Sequence, residues 1–359
     1  MKKIAILLLC LLLLASCGKA SPVYTPPERG FLTLPLQIPP LPEPPEPPEP
    51  LPYVNPLTGE GCAEDIAQRR PYAVMLNNLK KALPQAGVAE ADILYEVCAE
   101  GGITRMLGVF QSVDGVGNIG TVRSARDYYI SLAAGHDALF LHAGGSPKAY
   151  EVIKSWGIAA FDCVNGPYEG TLYWRDKERR RNAGMEHSVL TSGETISALM
   201  PTYRARLEHK EGYVYPMSFA EDAAPENGQD ANTVTVTFST YKTGVFTYDA
   251  EAGMYRVEEY GQPYVDANTG EQVLVKNVLV LYTDKSIIAG DEAGRLKVRT
   301  TGTGKGWFAC GGKAVEIKWS KKDVYAPLTY TTTDGKELVF GVGPSYVNLV
   351  GAKDPVEFN

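Results

Sequence analysis

The sequence predicts an α+β protein, with a mixed α/β layered domain over residues 55–220 followed by a smaller, mostly antiparallel β domain over residues 230–359. Three observations carry this. Residues 72–141 hold short apolar runs bounded by glycine or charge, which read as buried strands. Ser124 and Ser146 each precede a helix-like segment that ends in glycine. After Gly228 only strand-like runs remain, separated by turn residues. At 359 residues and 44% hydrophobic, the chain can bury more than one core, and alternating strand and helix in its first half implies a layered sheet.

In chain order, the first signal concerns location. Met1-Lys2-Lys3 is a positive start, residues 4–14 are an apolar run too short to anchor in a bilayer, and Leu14-Ala15-Ser16-Cys17 is a small-residue cleavage site ending in cysteine. This pattern is similar to a bacterial lipoprotein signal. It implies removal of residues 1–16, diacylglycerol on the Cys17 sulfur and an acylated amino group, hence a membrane anchor on the extracytoplasmic face. Residues 17–54 follow as a proline-rich tether, densest in Glu43-Pro44-Pro45-Glu46-Pro47-Pro48-Glu49-Pro50. Polyproline II at about 3.1 Å per residue makes it a semi-rigid spacer of up to roughly 100 Å.

The globular part begins near Asn55-Pro56-Leu57-Thr58-Gly59. Strands are expected at 72–76, 93–97, 106–110 and 138–141. Ser124 is expected to cap a helix over 125–134, Ser146-Pro147 to open another that stops at Gly157, and Thr191-Ser192-Gly193-Glu194 to begin a third running toward Glu208. The basic run Arg179-Arg180-Arg181 reads as a solvated loop. Residues 221–232 form the natural boundary. Beyond it, strands are expected at 233–238, 246–249, 254–258, 273–282, 296–300, 307–310, 315–319, 338–340 and 346–350, with turns at Asn268-Thr269-Gly270 and Asp334-Gly335. Thr301-Gly302-Thr303-Gly304-Lys305-Gly306 lacks the full spacing of a phosphate loop and precedes a strand, so it reads as a turn or bulge.

A net charge of -7 argues against a nucleic-acid partner, because phosphate neutralisation needs surplus Lys and Arg. Cys62, Cys98, Cys163 and Cys310 show no CxxC spacing and read as buried thiols. Neither GxSxG nor HExxH occurs, so a standard serine hydrolase or zinc protease is not indicated.

The candidate site lies at strand ends within residues 100–147. Arg105, Arg123 and Arg126 are expected to face one cavity, with helix N–H groups pointing at the same rim; guanidinium forks and free amides suit phosphate, pyrophosphate or carboxylate. Asp127, His142, Ser146, Arg175, Asp176 and His187 complete the ligand-binding candidates; His142, at a strand end, could serve as a base. No cofactor is expected. Glu100, Asp127 and Asp176 lack the spacing of a calcium loop.

Beyond these patterns, Arg70-Pro71-Tyr72-Ala73-Val74-Met75-Leu76-Asn77-Asn78, Glu100-Gly101-Gly102-Ile103-Thr104-Arg105, Val122-Arg123-Ser124-Ala125-Arg126, His142-Ala143-Gly144-Gly145-Ser146-Pro147, Trp174-Arg175-Asp176 and Glu316-Ile317-Lys318-Trp319 closely resemble the YerB-like lipoprotein family. The resemblance covers nearly all of residues 55–359 and implies two adjoining domains of unassigned function. The chain departs from the family where Ser188, instead of the usual Asn, follows His187. Arg126-Asp127, Gly144-Gly145-Ser146-Pro147-Lys148-Ala149-Tyr150 and Gly157-Ile158 are also similar in order to the LytR-CpsA-Psr family. That likeness implies transfer of polyprenyl-pyrophosphate-linked polymers to the cell wall, with an acidic residue holding magnesium. Three functions follow as expectations: a surface protein that binds an anionic envelope polymer or lipid carrier, such a phosphotransferase, or a structural adaptor.

Overall fold

The structure is a computed structural model that describes Val23, Thr25 and residues 50–359. The expected signal peptide, the lipid-bearing Cys17 and nearly all of the 17–54 tether lie outside the described residues. Glu49–Asn359 form one compact unit.

The first half of that unit supplies β1 (Tyr72–Asn77), β2 (Ile93–Cys98), β3 (Thr104–Phe110), β4 (Asn118–Gly120), α1 (Asp127–Gly135), β5 (Leu139–His142), α2 (Pro147–Ser155), β6 (Ala160–Asp162), β7 (Trp174–Arg175), α3 (Lys177–Ala183), β8 (Val189–Ser192) and α4 (Gly193–Leu199). The second half supplies β9 (Thr233–Thr237), β10 (Thr243–Asp249), β11 (Met254–Glu259), β12 (Asn277–Thr283), β13 (Gly302–Cys310), β14 (Lys313–Lys321), β15 (Ser345–Gly351) and β16 (Val356–Phe358). The fold is α+β, and the strands expected from apolar runs are found within a few residues of their positions.

An 11-stranded mixed sheet is the spine, and its central order is β14-β13-β12-β15-β2-β3-β1-β5-β6. β15 lies parallel to β12 on one side and to β2 on the other, so strands from both halves share this sheet across the 221–232 boundary. Alternation along each strand sends side chains to two cores. Ala73, Met75, Tyr95, Leu107 and Leu349 face the layer of α1 and α2, together with Tyr128, Ile130 and Val152. Val74, Leu76, Leu94, Met106 and Val280 face the other way, against Val234, Val236, Phe246 and Val257 of a second sheet. That sheet, with β11-β10-β9-β16 at its centre, is antiparallel throughout. Each such buried Leu, Met or Phe contributes about 1.5–3 kcal/mol of apolar burial, which makes the spine the stable platform for everything at its edges.

Local departures have local causes. Ser124 does not cap α1: the N-cap residue is Arg126, and the Ser124 carbonyl instead accepts from the Arg105 guanidinium at 2.7 Å. Ser146 caps α2 as expected, its hydroxyl accepting from the Ala149 N–H at 3.1 Å. Ser192 caps α4, which stops at Leu199 because Pro201 cannot continue it. The run Arg179-Arg180-Arg181, expected as a loop, lies in α3, capped by Asp176. Residues 302–306 are not a turn but the start of β13, where Gly304 leaves room for the Trp319 ring. Cys62, Cys98, Cys163 and Cys310 are free thiols; the last three are buried as expected, whereas Cys62, in a short edge strand, is partly exposed.

Candidate functional site

Two groups of arginines form where one cavity was expected. Arg105 and Arg126 share Glu100. Arg105 donates to Glu100 Oε1 at 2.9 Å, and Arg126 donates to both Glu100 oxygens, Nε reaching Oε2 at 3.1 Å. Further donors are also used, Arg105 Nη1 on the Ser124 carbonyl and Arg126 Nη1 on the Ala125 carbonyl at 2.8 Å, while the buried Arg105 Nε has no partner among the described residues. Both arginines are buried. Burial raises the Glu100 carboxyl, but the two guanidiniums outweigh it and hold the carboxyl below its ordinary value. This is a buried bracket that ties the start of β3 to the start of α1, with one anion for two cations.

Arg123 sits elsewhere, with Arg175. The Arg123 Nη1 donates to the Glu186 carbonyl at 2.9 Å, and the Arg175 Nη1 donates to the neighbouring Met185 carbonyl at 2.8 Å, so the two guanidiniums bracket consecutive peptides of one turn. Both line a cleft of about 480 Å³ with Ser124, Gly144, Gly145 and Asn165. Their carboxylate partners stand at the rim: Glu186 lies 3.3 Å from Arg123 and Glu169 lies 2.7 Å from Arg175, with carboxylate side chains 60% and 45% exposed. The guanidinium ends are only 13% and 12% exposed, so these are half-buried pairs in which the exposed carboxylate is the partner that can exchange for another anion.

The cleft floor is built by Asp162, which sequence reasoning passed over. Its Oδ1 accepts from the Gly144 N–H at 2.7 Å and the Val164 N–H at 2.9 Å, and its Oδ2 from the Tyr150 hydroxyl at 2.8 Å. Gly144 has φ 78°, which only glycine adopts freely. An aspartate at the end of an apolar run, just before Asn165-Gly166, was the available signal.

The remaining candidates have internal duties. His142 is buried, stacked on Phe140, with Nδ1 2.8 Å from the Gly144 carbonyl; burial lowers its pKa, so the neutral ring donates to that carbonyl and fixes the turn. Ser146 and Asp176 cap helices. Asp127 opens α1, where burial raises its carboxyl. His187 is buried with Nδ1 2.7 Å from Asn77 Nδ2. Asn77 Oδ1 accepts from the Leu79 N–H, so the Asn77 amide nitrogen donates to His187 and the ring proton lies on Nε2, which is 3.1 Å from Glu186 Oε1 but not aligned for a hydrogen bond. Among the described residues no three His, Cys, Asp or Glu side chains gather closely enough to hold a metal ion.

A second ionic cluster lies between the two sheets and was not foreseen. Lys242, Glu96 and Glu259 are all buried. Lys242 Nζ lies 3.0 Å from Glu96 and also contacts Glu259, while the Tyr346 hydroxyl is 2.6 Å from Glu96 and 3.1 Å from Glu259. A hydroxyl has one proton, so holding both carboxylates requires a carboxylic acid on one side. Burial and the Glu96 charge raise Glu259 to about 8, which makes Glu259 that acid at neutral pH. The signal was Glu96 itself, a lone charge inside the apolar run Ile93–Cys98.

Comparison with known proteins gives consistent matches. Residues 57–206 match the N-terminal domain, and residues 234–347 the C-terminal domain, of a protein of unknown function, DUF3048. The chain is 33% identical over 300 residues to the Bacillus subtilis (strain 168) protein named "Putative lipoprotein YerB", covering 82% of this chain and 85% of that one. A crystal structure of the YerB protein from Bacillus subtilis superposes with a TM-score of 0.73 at 29% identity, covering 85% of this chain and 99% of that one.

Proposed function

We propose that this chain, which belongs to the DUF3048 family of YerB-like lipoproteins, is held by lipidated Cys17 on the extracytoplasmic face of the membrane and binds an anionic group of an envelope polymer or lipid carrier in the Arg123–Arg175 cleft. One observation carries the proposal: two guanidiniums bracket one turn, line one cleft and are countered there by rim carboxylates. A phosphate or pyrophosphate entering the cleft displaces Glu186 and Glu169 and takes over their donors. Arg105 and Arg126, committed to Glu100, support the cleft from behind and do not bind. The proposal includes no turnover.

The test is a calorimetric titration of the full chain in detergent with inorganic pyrophosphate and with poly(glycerol phosphate). Arg123→Ala and Arg175→Ala are expected to weaken binding about tenfold each. Glu186→Gln, which removes the competing carboxylate, is expected to strengthen it. Equal affinity across wild type and both arginine variants refutes the site. Magnesium-dependent release of lipid pyrophosphate from a labelled carrier would shift the reading to a phosphotransferase, and no anion binding at all would favour the structural adaptor.

A further inference from the structure

A second and larger cleft, of about 1230 Å³, lies on the other side of the strand that carries Arg175. β4, β8 and β7 form a small three-stranded sheet. Its register sets Asn118 opposite Ser192 and Trp174 opposite Leu190, so Trp174, Ser192 and Asn118 share one face, while Arg175 points to the opposite one. The face with Trp174 is the floor of the cleft. Its walls are the loop of Asp114 before β4, helix α4 with Glu194 and Ser197, and the turn of Asn268 from the second half of the chain.

The chemistry of this lining is specific. Trp174 is half-buried, and its indole N–H donates to nothing among the described residues, leaving an aromatic surface with a free donor. The amides and hydroxyls around it offer donors and acceptors together. Several are held in place: Ser197 donates to Asp114 at 3.0 Å, and Asn268 donates to the Asn118 carbonyl at 2.9 Å. No Lys or Arg lines the cleft, whereas Asp114 and Glu194 do, and Glu194 makes no ion pair among the described residues. Phosphates and other anions are therefore disfavoured here. A flat aromatic ring ringed by fixed amides, hydroxyls and carboxylates matches a sugar ring, whose C–H face stacks and whose hydroxyls need both donors and acceptors. A cation site would ask for several aromatic walls, and Trp174 is the one aromatic residue lining this cleft. The volume exceeds that of an ordinary small-molecule pocket, which suits several linked rings.

We infer that the Trp174 cleft binds a neutral oligosaccharide. The inference does not rest on the arginine cleft, because the two sites use opposite faces of β7. The test is a saturation-transfer NMR and calorimetric titration of the full chain in detergent with tetra-N-acetylchitotetraose and maltotetraose. Tetramethylammonium is included as a cationic competitor. At least one saccharide is expected to bind, with affinity falling on the order of tenfold in Trp174→Ala. Trp174→Phe is expected to retain most of that affinity, and Arg123→Ala to leave it unchanged. Asn268→Arg, a change in an exposed turn that crowds the cleft without burying anything, is expected to lose saccharide binding with unaltered thermal unfolding. No saccharide binding at about 10 mM, equal affinity in Trp174→Ala and Asn268→Arg, or preference for tetramethylammonium would each overturn the inference.

Discussion

Lys242→Met should expose the energetics of the charge cluster between the sheets. Nζ is the one cation set against two carboxylates that are themselves inaccessible to water. Removing it while both acids remain leaves uncompensated buried charge, a change that costs about 3–5 kcal/mol, against a total stability of about 5–15 kcal/mol. The pH profile carries a second signature. Glu259 is raised from its ordinary 4.5 to about 8, so its protonated form stabilises the fold. That contribution is complete below pH 4.5 and is lost as pH rises toward 8. The direction of that loss follows from linkage, since the folded state holds a proton that the unfolded chain releases. Urea unfolding followed by tryptophan fluorescence at several pH values from 5 to 9 measures both effects. Wild type should weaken across the window, Glu259→Gln should flatten the profile, and adding Glu259→Gln to Lys242→Met should recover part of the loss only at the alkaline end, where Glu259 would otherwise ionise. A Lys242→Met cost below about 1 kcal/mol, with a flat wild-type profile, would mean that the cluster is not a paired ionic core.

Two further outcomes separate support from binding. Arg105→Ala removes one of the two cations on Glu100 and the donor that holds the half-buried Ser124 carbonyl. It should cost about 2–4 kcal/mol in urea unfolding while leaving pyrophosphate affinity unchanged; reduced affinity at full stability would return Arg105 to the binding site. Gly193→Ala places a methyl group well inside contact distance of the Val113 and Val116 carbonyl oxygens. It should lower stability by about 1–3 kcal/mol, read as a fall in Tm, and an unchanged Tm would show that α4 can move away from that loop.

Much of the fold was legible because strands announce themselves locally. Apolar runs bounded by glycine placed β1, β2, β3 and β5, and side-chain caps placed α2 and the start of α4. Pairing was not legible: β15 joins β2 through contacts such as Tyr346 opposite Leu94, more than two hundred residues apart in sequence. α3 was hidden because a short helix with no buried residue leaves no apolar period, only charge. The candidate site was half legible. Arg123 does follow the end of β4, but arginine spacing alone says nothing about which carboxylate each guanidinium meets. Glu100, five residues before Arg105, consumed two of the three, and Arg175 entered the cleft through β7, far along the chain.

The placement of β15 bears on how the protein is made. Residues 345–351 leave the ribosome more than two hundred residues after β2, yet they fill a slot in the middle of the spine, with β12 on one flank and β2 on the other. Until they arrive, both neighbours carry open hydrogen-bonding edges lined with apolar side chains, the condition that invites capture by chaperones or aggregation. Neither half can therefore mature ahead of the other, and a chain cut before residue 345 would lose the middle of its spine.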